Sequence, residues 1–307
     1  IISYLLIIFF IITNRIMEIL VSNQNLSILL LIIASIGISF GGLIMRNIDY
    51  ADAWQISFFR SLGFVFTVIF VLFRKYRFKN FKNIKKIGKM GFLGGLFLMG
   101  AHLLFILSFS ETTIANTLFT LSAIPFITAF IALIFLREKI SFRTFIIMIF
   151  AFVGIFIMLK DSIDNNEFLG NIFALCCAIF FSCFIIIARK YNHIDMMPIC
   201  FVSGILLTTF TFFVNLGNLN VPIKEIFLCI LWGSVLHGFM NLVFIFASRF
   251  LYASEITLFM LLEFSLGPFW VWYFMDETFS QNMFFGGIIV LFSVTIYCFL
   301  ELLSQKK

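Results

Sequence analysis

Glu263 stands in the middle of the apolar run "MLLEFSLGPFWVWYF", residues 260–274. In lipid a carboxylate is costly unless something solvates or pairs with it, so an acid in this place is a candidate for binding a cation or a coupling proton. Arg60 in "SFFRSLGF" is its mirror case, and suits either a substrate carboxylate or pairing with Glu263. Two histidines, His102 in "AHLLF" and His237 in "VLHGFMN", fall near the centres of their runs and could relay protons or hydrogen-bond a ligand. Asn116 and Thr120 are spaced to share one helix face, and Asn241, Glu255 and Trp270 complete the set of groups that could line a polar chamber. Each of these side chains also has a packing use, because polar groups between helices in lipid commonly bond one another.

The elements that must position them are long and apolar. The chain has 307 residues, of which 62% are hydrophobic and only 12% charged, and its 47 phenylalanines show no alternation with polar residues. That composition excludes a soluble domain and argues against a transmembrane barrel, leaving an all-α integral membrane protein. Runs of about twenty apolar residues are long enough to cross the hydrocarbon core as helix. Taking polar breaks as boundaries gives ten transmembrane helices at 27–46, 54–73, 87–109, 113–136, 142–160, 168–188, 197–217, 226–248, 252–275 and 282–303. The six cysteines lie inside apolar runs without metal-ligand spacing and read as small hydrophobes.

Charge orients the bundle. With the N-terminus in the cytoplasm, seventeen Lys and Arg fall on that side, including the loop "RKYRFKNFKNIKKIGK" after the second helix, against Arg46, Lys160 and Lys224 on the other. Such an imbalance follows the positive-inside pattern, so both termini are expected in the cytoplasm and the protein in the bacterial inner membrane. The basic residues flank helices, which speaks for lipid and against nucleic acid as the partner. Residues 1–16 contain an apolar stretch too short to span, and read as an upstream, disordered or interfacial segment before Met17.

Self-comparison divides the rest into two copies, 17–160 and 161–307. "FLGGLFLMGAHLLFI" (92–106) aligns without gaps on "LWGSVLHGFMNLVFI" (231–245), an offset that pairs His102 with Asn241 and Glu138 with Glu277. Near the start of each copy an offset of 143 pairs "LIMRN" with "IIARK", and Glu255 takes the place equivalent to Asn116. Five spans per copy is an odd number, so the copies enter the bilayer in opposite senses, as in many secondary transporters.

The segments "TLSAIPFITAFIALIFLREKIS" (120–141) and "MLLEFSLGPFWVWYFMDETFS" (260–280) carry the copies' common pattern of helix, proline, helix and acid. With them the chain resembles the drug/metabolite transporter superfamily, and within it the EamA-domain transporters. The resemblance implies a ten-helix bundle, alternating access and movement of a small metabolite. Phe264 occupies the place of the family's proline in the second copy, which shifts the expected bend of the ninth helix toward Pro268.

The function expected from these features is a permease for a small polar metabolite, an amino acid or amino-acid-like compound, with protons as a candidate coupling ion. A channel or a membrane scaffold is the alternative reading. An intramembrane enzyme is a weaker one, since no H-E-x-x-H or G-x-S-x-G stretch occurs. No cofactor or metal is implied, and the sequence leaves the oligomeric state open.

Overall fold

The computed structural model describes residues 24–76, 87–112, 114–138, 141–159, 168–275 and 281–304. The segment 1–16, Glu277 and the terminal lysines lie outside them, as do the side chains of Asn116 and Pro268. Every described element is helical, and the helices fall into ten units. These are α1 (Gln24–Ile38, continued by Gly41–Met45), α2 (Ala53–Tyr76), α3 (Gly88–Glu111), α4 (Ile114–Leu121, continued by Ile124–Phe135) and α5 (Phe142–Leu159). There follow α6 (Phe168–Lys190), α7 (Pro198–Val214), α8 (Ile223–Leu231, a π-helical stretch Trp232–Gly238, then Phe239–Ala247), α9 (Ala253–Leu258, continued by Met260–Met275) and α10 (Gln281–Ser304).

Five stretches are long and apolar enough to cross a membrane by length and composition alone, in α1, α2, α3, α6 and α8. Shorter apolar helices occur in α4, α5, α7 and α10. The outer face of the bundle is apolar, and its largely apolar core also encloses polar side chains. Phe66, Phe130 and Phe292 are 65–70% exposed, whereas the Arg60 side chain is 2% exposed. In water that distribution would be unstable; facing lipid it is what a spanning bundle requires.

The strongest helix pairings are α3 on α6 and α5 on α10, with α7 against both α2 and α3 and α2 against α8. α8 also packs on α1, α4 on both α6 and α9, and α9 on α1.

The crossing of α2 and α8 is the closest backbone approach. A Cβ at Gly233 would fall on the Arg60 carbonyl, and one at Gly63 on the carbonyl of Ile230. Only glycine fits at such contacts, so the two helices touch main chain to main chain there. α8 widens into its π-helical stretch at this point, and Thr67 Oγ1 donates to the Ser234 carbonyl at 2.9 Å. A π-stretch displaces carbonyls from their usual partners, and a neighbouring hydroxyl recovers one of them.

Three helices are interrupted rather than straight. α4 breaks at Ser122 and Ala123, just before Pro125, whose ring nitrogen has no proton to give the Leu121 carbonyl. α1 breaks at Ser39 and Phe40. α9 breaks at Phe259, where Leu262 N–H turns back to the Phe259 carbonyl at 3.1 Å. The bend expected near Pro268 is therefore displaced: the helix runs unbroken from Met260 through Pro268 to Met275. Packing sets the break instead, for the Phe259 ring is fully buried against Tyr297 at 5.9 Å.

Candidate functional site

The interruptions of α4 and α9 meet at the same place. Leu121 and Ile124 flank one break, Met260, Glu263 and Phe264 follow the other, and together they line a cavity of about 40 Å³. A volume of this kind has room for very few water-sized groups. The other walls come from α3 (Ala101, His102 and Phe105), α8 (His237, Met240, Asn241 and Phe244), α6 (Cys177 and Phe181) and Ile38 of α1. Because the first half of α9 ends at Leu258, Glu263 falls in the first turn of the second half. There the positive pole of the helix favours a carboxylate. Among the described residues no hydrogen bond holds that carboxylate, which is buried at 8% exposure.

Arg60 is close by but does not line the cavity. Its guanidinium donates to the His102 carbonyl at 2.9 Å and lies 3.1 Å from His237 Nε2. A guanidinium can only donate, so His237 Nε2 presents a lone pair to it. The flat face of the cation rests over Trp232 and Phe105, at 5.1 and 5.6 Å from the ring centroids. Arg60 and Glu263 act on each other electrostatically, yet no ion pair joins them among the described residues. Of the two roles expected for Arg60, pairing with Glu263 is not seen among the described residues, and its guanidinium sits on the His102 carbonyl and beside His237 instead.

Asn241 completes the centre. Its Nδ2 donates to the His237 carbonyl at 2.9 Å and lies 3.3 Å from His102 Nε2, while Oδ1 is buried without a partner. The rings of His102 and His237 meet edge to face at 5.7 Å.

Of the residues singled out from sequence, the structure therefore gathers Glu263, His102, His237 and Asn241 around one cavity, with Arg60 directly behind. Three others stand elsewhere. Glu255 accepts the Tyr252 N–H at 3.0 Å, capping the start of α9. It shares with Glu138, Ser141, Thr144 and Ser254 a separate cavity of about 270 Å³ at the end of the bundle. Trp270 donates to Ser39 Oγ at 2.7 Å and stacks on Phe40 at 4.5 Å, closing the side opposite that end. Thr120 is half-buried outside the cavity wall, where its carbonyl accepts the Ala123 N–H at 3.2 Å. Sequence reasoning passed over Phe105, Phe244 and Cys177. The two phenylalanines were visible in the aligned pair "HLLF" and "NLVF", three residues beyond His102 and Asn241.

No curated protein matches the chain. One solved structure, described only as "Crystal structure of protein", superposes with a TM-score of 0.76 at 10% identity, over 91% of this chain and 99% of its own. That likeness speaks for the fold alone. The profile described as "EamA-like transporter family" matches residues 2–160, and the chain belongs to that family of membrane transporters.

Proposed function

We propose that the protein is a secondary active transporter that carries a small polar metabolite, an amino acid or amino-acid-like compound, by alternating access across the bacterial inner membrane, with both termini cytoplasmic. The observation that carries this reading is the meeting of His102 and Asn241 at 3.3 Å, two residues separated by 139 positions. Equivalent residues of an inverted repeat touch only where the pseudo-two-fold axis passes, and in transporters of this design the axis runs through the substrate site.

The rest of the cavity wall supports the same offset. Ala101 and Met240, Phe105 and Phe244, Leu121 and Met260, and Ile124 and Glu263 are pairs at that offset, and all of them line the cavity. The helix pairings agree: shifting each helix by five turns α3–α6 into α8–α1 and α4–α6 into α9–α1, and returns α2–α7, α4–α9 and α5–α10 to themselves. Glu263 breaks the pairing, since its equivalent is apolar, and so a single carboxylate marks one side of the axis. This makes it the candidate coupling group.

Reconstitution in liposomes tests the reading. A transporter gives saturable uptake of a labelled amino acid and counterflow, and a pore gives neither. Glu263→Gln is expected to abolish uptake driven by a pH gradient while leaving the protein folded. Undiminished proton-driven uptake by that variant would remove the coupling role.

A further inference from the structure

Resting on the transporter reading, we infer that the cavity recognises its substrate through a protonated primary amine, shared between the Glu263 carboxylate and Asn241 Oδ1. The orientation of the Asn241 amide decides this. Turning it over would set its oxygen against the His237 carbonyl, which now accepts from Nδ2 at 2.9 Å, so Oδ1 is fixed as an acceptor. Asn241 is 2% exposed and that oxygen has no partner. A buried acceptor left unsatisfied is costly, and a ligand N–H recovers the loss.

The second group, Glu263, has no hydrogen bond among the described residues, and its carboxylate can accept from the same ammonium and balance its charge. Arg60 stands behind the wall, with one terminal nitrogen on the His102 carbonyl, the other beside His237 Nε2, and its faces over Phe105 and Trp232. The cavity wall therefore holds two acceptors among Phe105, Phe181, Phe244 and Phe264, together with His237, whose buried Nδ1 has no hydrogen-bond partner and, with Nε2 turned to Arg60, carries the proton of a neutral ring. Aromatic faces tolerate a cation and pack against an apolar body. The closed volume of about 40 Å³ admits an ammonium group, and the remainder of the molecule must be accommodated as the bundle opens. A quaternary ammonium would satisfy the charge of Glu263 yet leave Asn241 Oδ1 without a donor.

The test uses the purified full chain with leucine, isoamylamine and trimethyl-isoamylammonium, by calorimetric binding and by counterflow in liposomes. Isoamylamine should bind saturably, and the trimethylated compound at least about tenfold more weakly. Glu263→Gln, which keeps the side-chain shape, should weaken isoamylamine by about tenfold or more. Asn241→Leu should erase the preference for the primary over the quaternary amine. Should Asn241→Leu fail to fold, the wild-type series and Glu263→Gln decide alone. Equal affinity for primary and quaternary amines overturns the inference while leaving the transporter reading in place. Absence of saturable exchange with all three compounds overturns both the inference and the amino-acid-like substrate proposed above.

Discussion

The two ends of the bundle are closed by different chemistry. At the end where α4, α6 and α8 finish, side-chain ion pairs do the joining. Arg189 Nε donates to Glu138 Oε1 at 2.8 Å and its NH1 to the Ser248 carbonyl at 2.8 Å, while Glu138 Oε2 lies 3.3 Å from the Ala253 N–H. Arg249 reaches Asp195 at 3.2 Å. At the other end, among the described residues, the Glu225 carboxylate accepts the backbone N–H groups of Asp49, Tyr50 and Ala51 at 2.9–3.3 Å. The ion pairs look stronger, yet burial reverses that impression. Glu225 is 3% exposed, whereas the side chains of the Arg249–Asp195 pair are 30% and 21% exposed. Exposed pairs contribute little because water screens them, and a buried carboxylate that satisfies three main-chain donors is expensive to remove. The end decorated with charges is thus the one better suited to open and close.

The sharpest way to break this comparison is Glu225→Ala. It strips the turn between α1 and α2 of its acceptor and should destabilise the protein by about 3 kcal/mol, since each N–H left buried and unbonded costs on the order of 1–3 kcal/mol with water recovering part. Thermal unfolding in detergent measures it. A loss no larger than that of Arg189→Ala would mean the two ends are held equally.

Much of the scaffold was legible in the sequence, because a spanning helix announces itself by a continuous apolar run; the expected 87–109 and 168–188 are found at Gly88–Glu111 and Phe168–Lys190. What the sequence did not disclose are the places where one hydrogen bond shifts by a residue. The π-stretch of α8 depends on how closely Gly233 approaches Arg60, and the α9 break on where the Phe259 ring finds a cavity to fill. Neither leaves a mark in hydropathy. Within the site, Glu263, His102, His237 and Asn241 were recognisable as polar groups in apolar surroundings, which is a local property. The partner of Arg60 was not, being fixed by a crossing between helices 177 residues apart. Glu255 misled for a related reason: it follows Tyr252, a residue type that rarely begins a helix, so its capping role was hidden.

A smaller effect is expected at the lid formed by Trp270. Trp270→Phe keeps the ring stack on Phe40 but loses the bond to Ser39 Oγ, at a cost of about 1 kcal/mol. Because that bond joins α1 to α9 on the Glu225 side of the cavity, the change should raise labelling of a cysteine placed at Ile38 from that side of reconstituted vesicles. Labelling unchanged from both sides would remove Trp270 from the closure of that end.

The smallest expected stability change belongs to Arg189→Gln, and it is the most informative about movement. The Glu138–Arg189 pair is 16–17% exposed, so its loss should cost about 1 kcal/mol or less in unfolding. Its influence on the opening of the bundle should be larger than on unfolding, because the pair bridges the α4–α5 turn and α6 while the same guanidinium holds the end of α8. Opening breaks all of these contacts at once, and global unfolding is dominated by the apolar packing that opening preserves. Ser254, buried beside Glu138 and Glu255, provides the reporter. Ser254→Cys should react severalfold faster with a membrane-impermeant maleimide when Arg189→Gln is present, and should gain a similar acceleration in the parent protein when salt is raised enough to screen the pair. Acceleration by the substitution without any response to salt would show that the hydrogen bond to the Ser248 carbonyl, rather than the charge on Glu138, keeps this end shut.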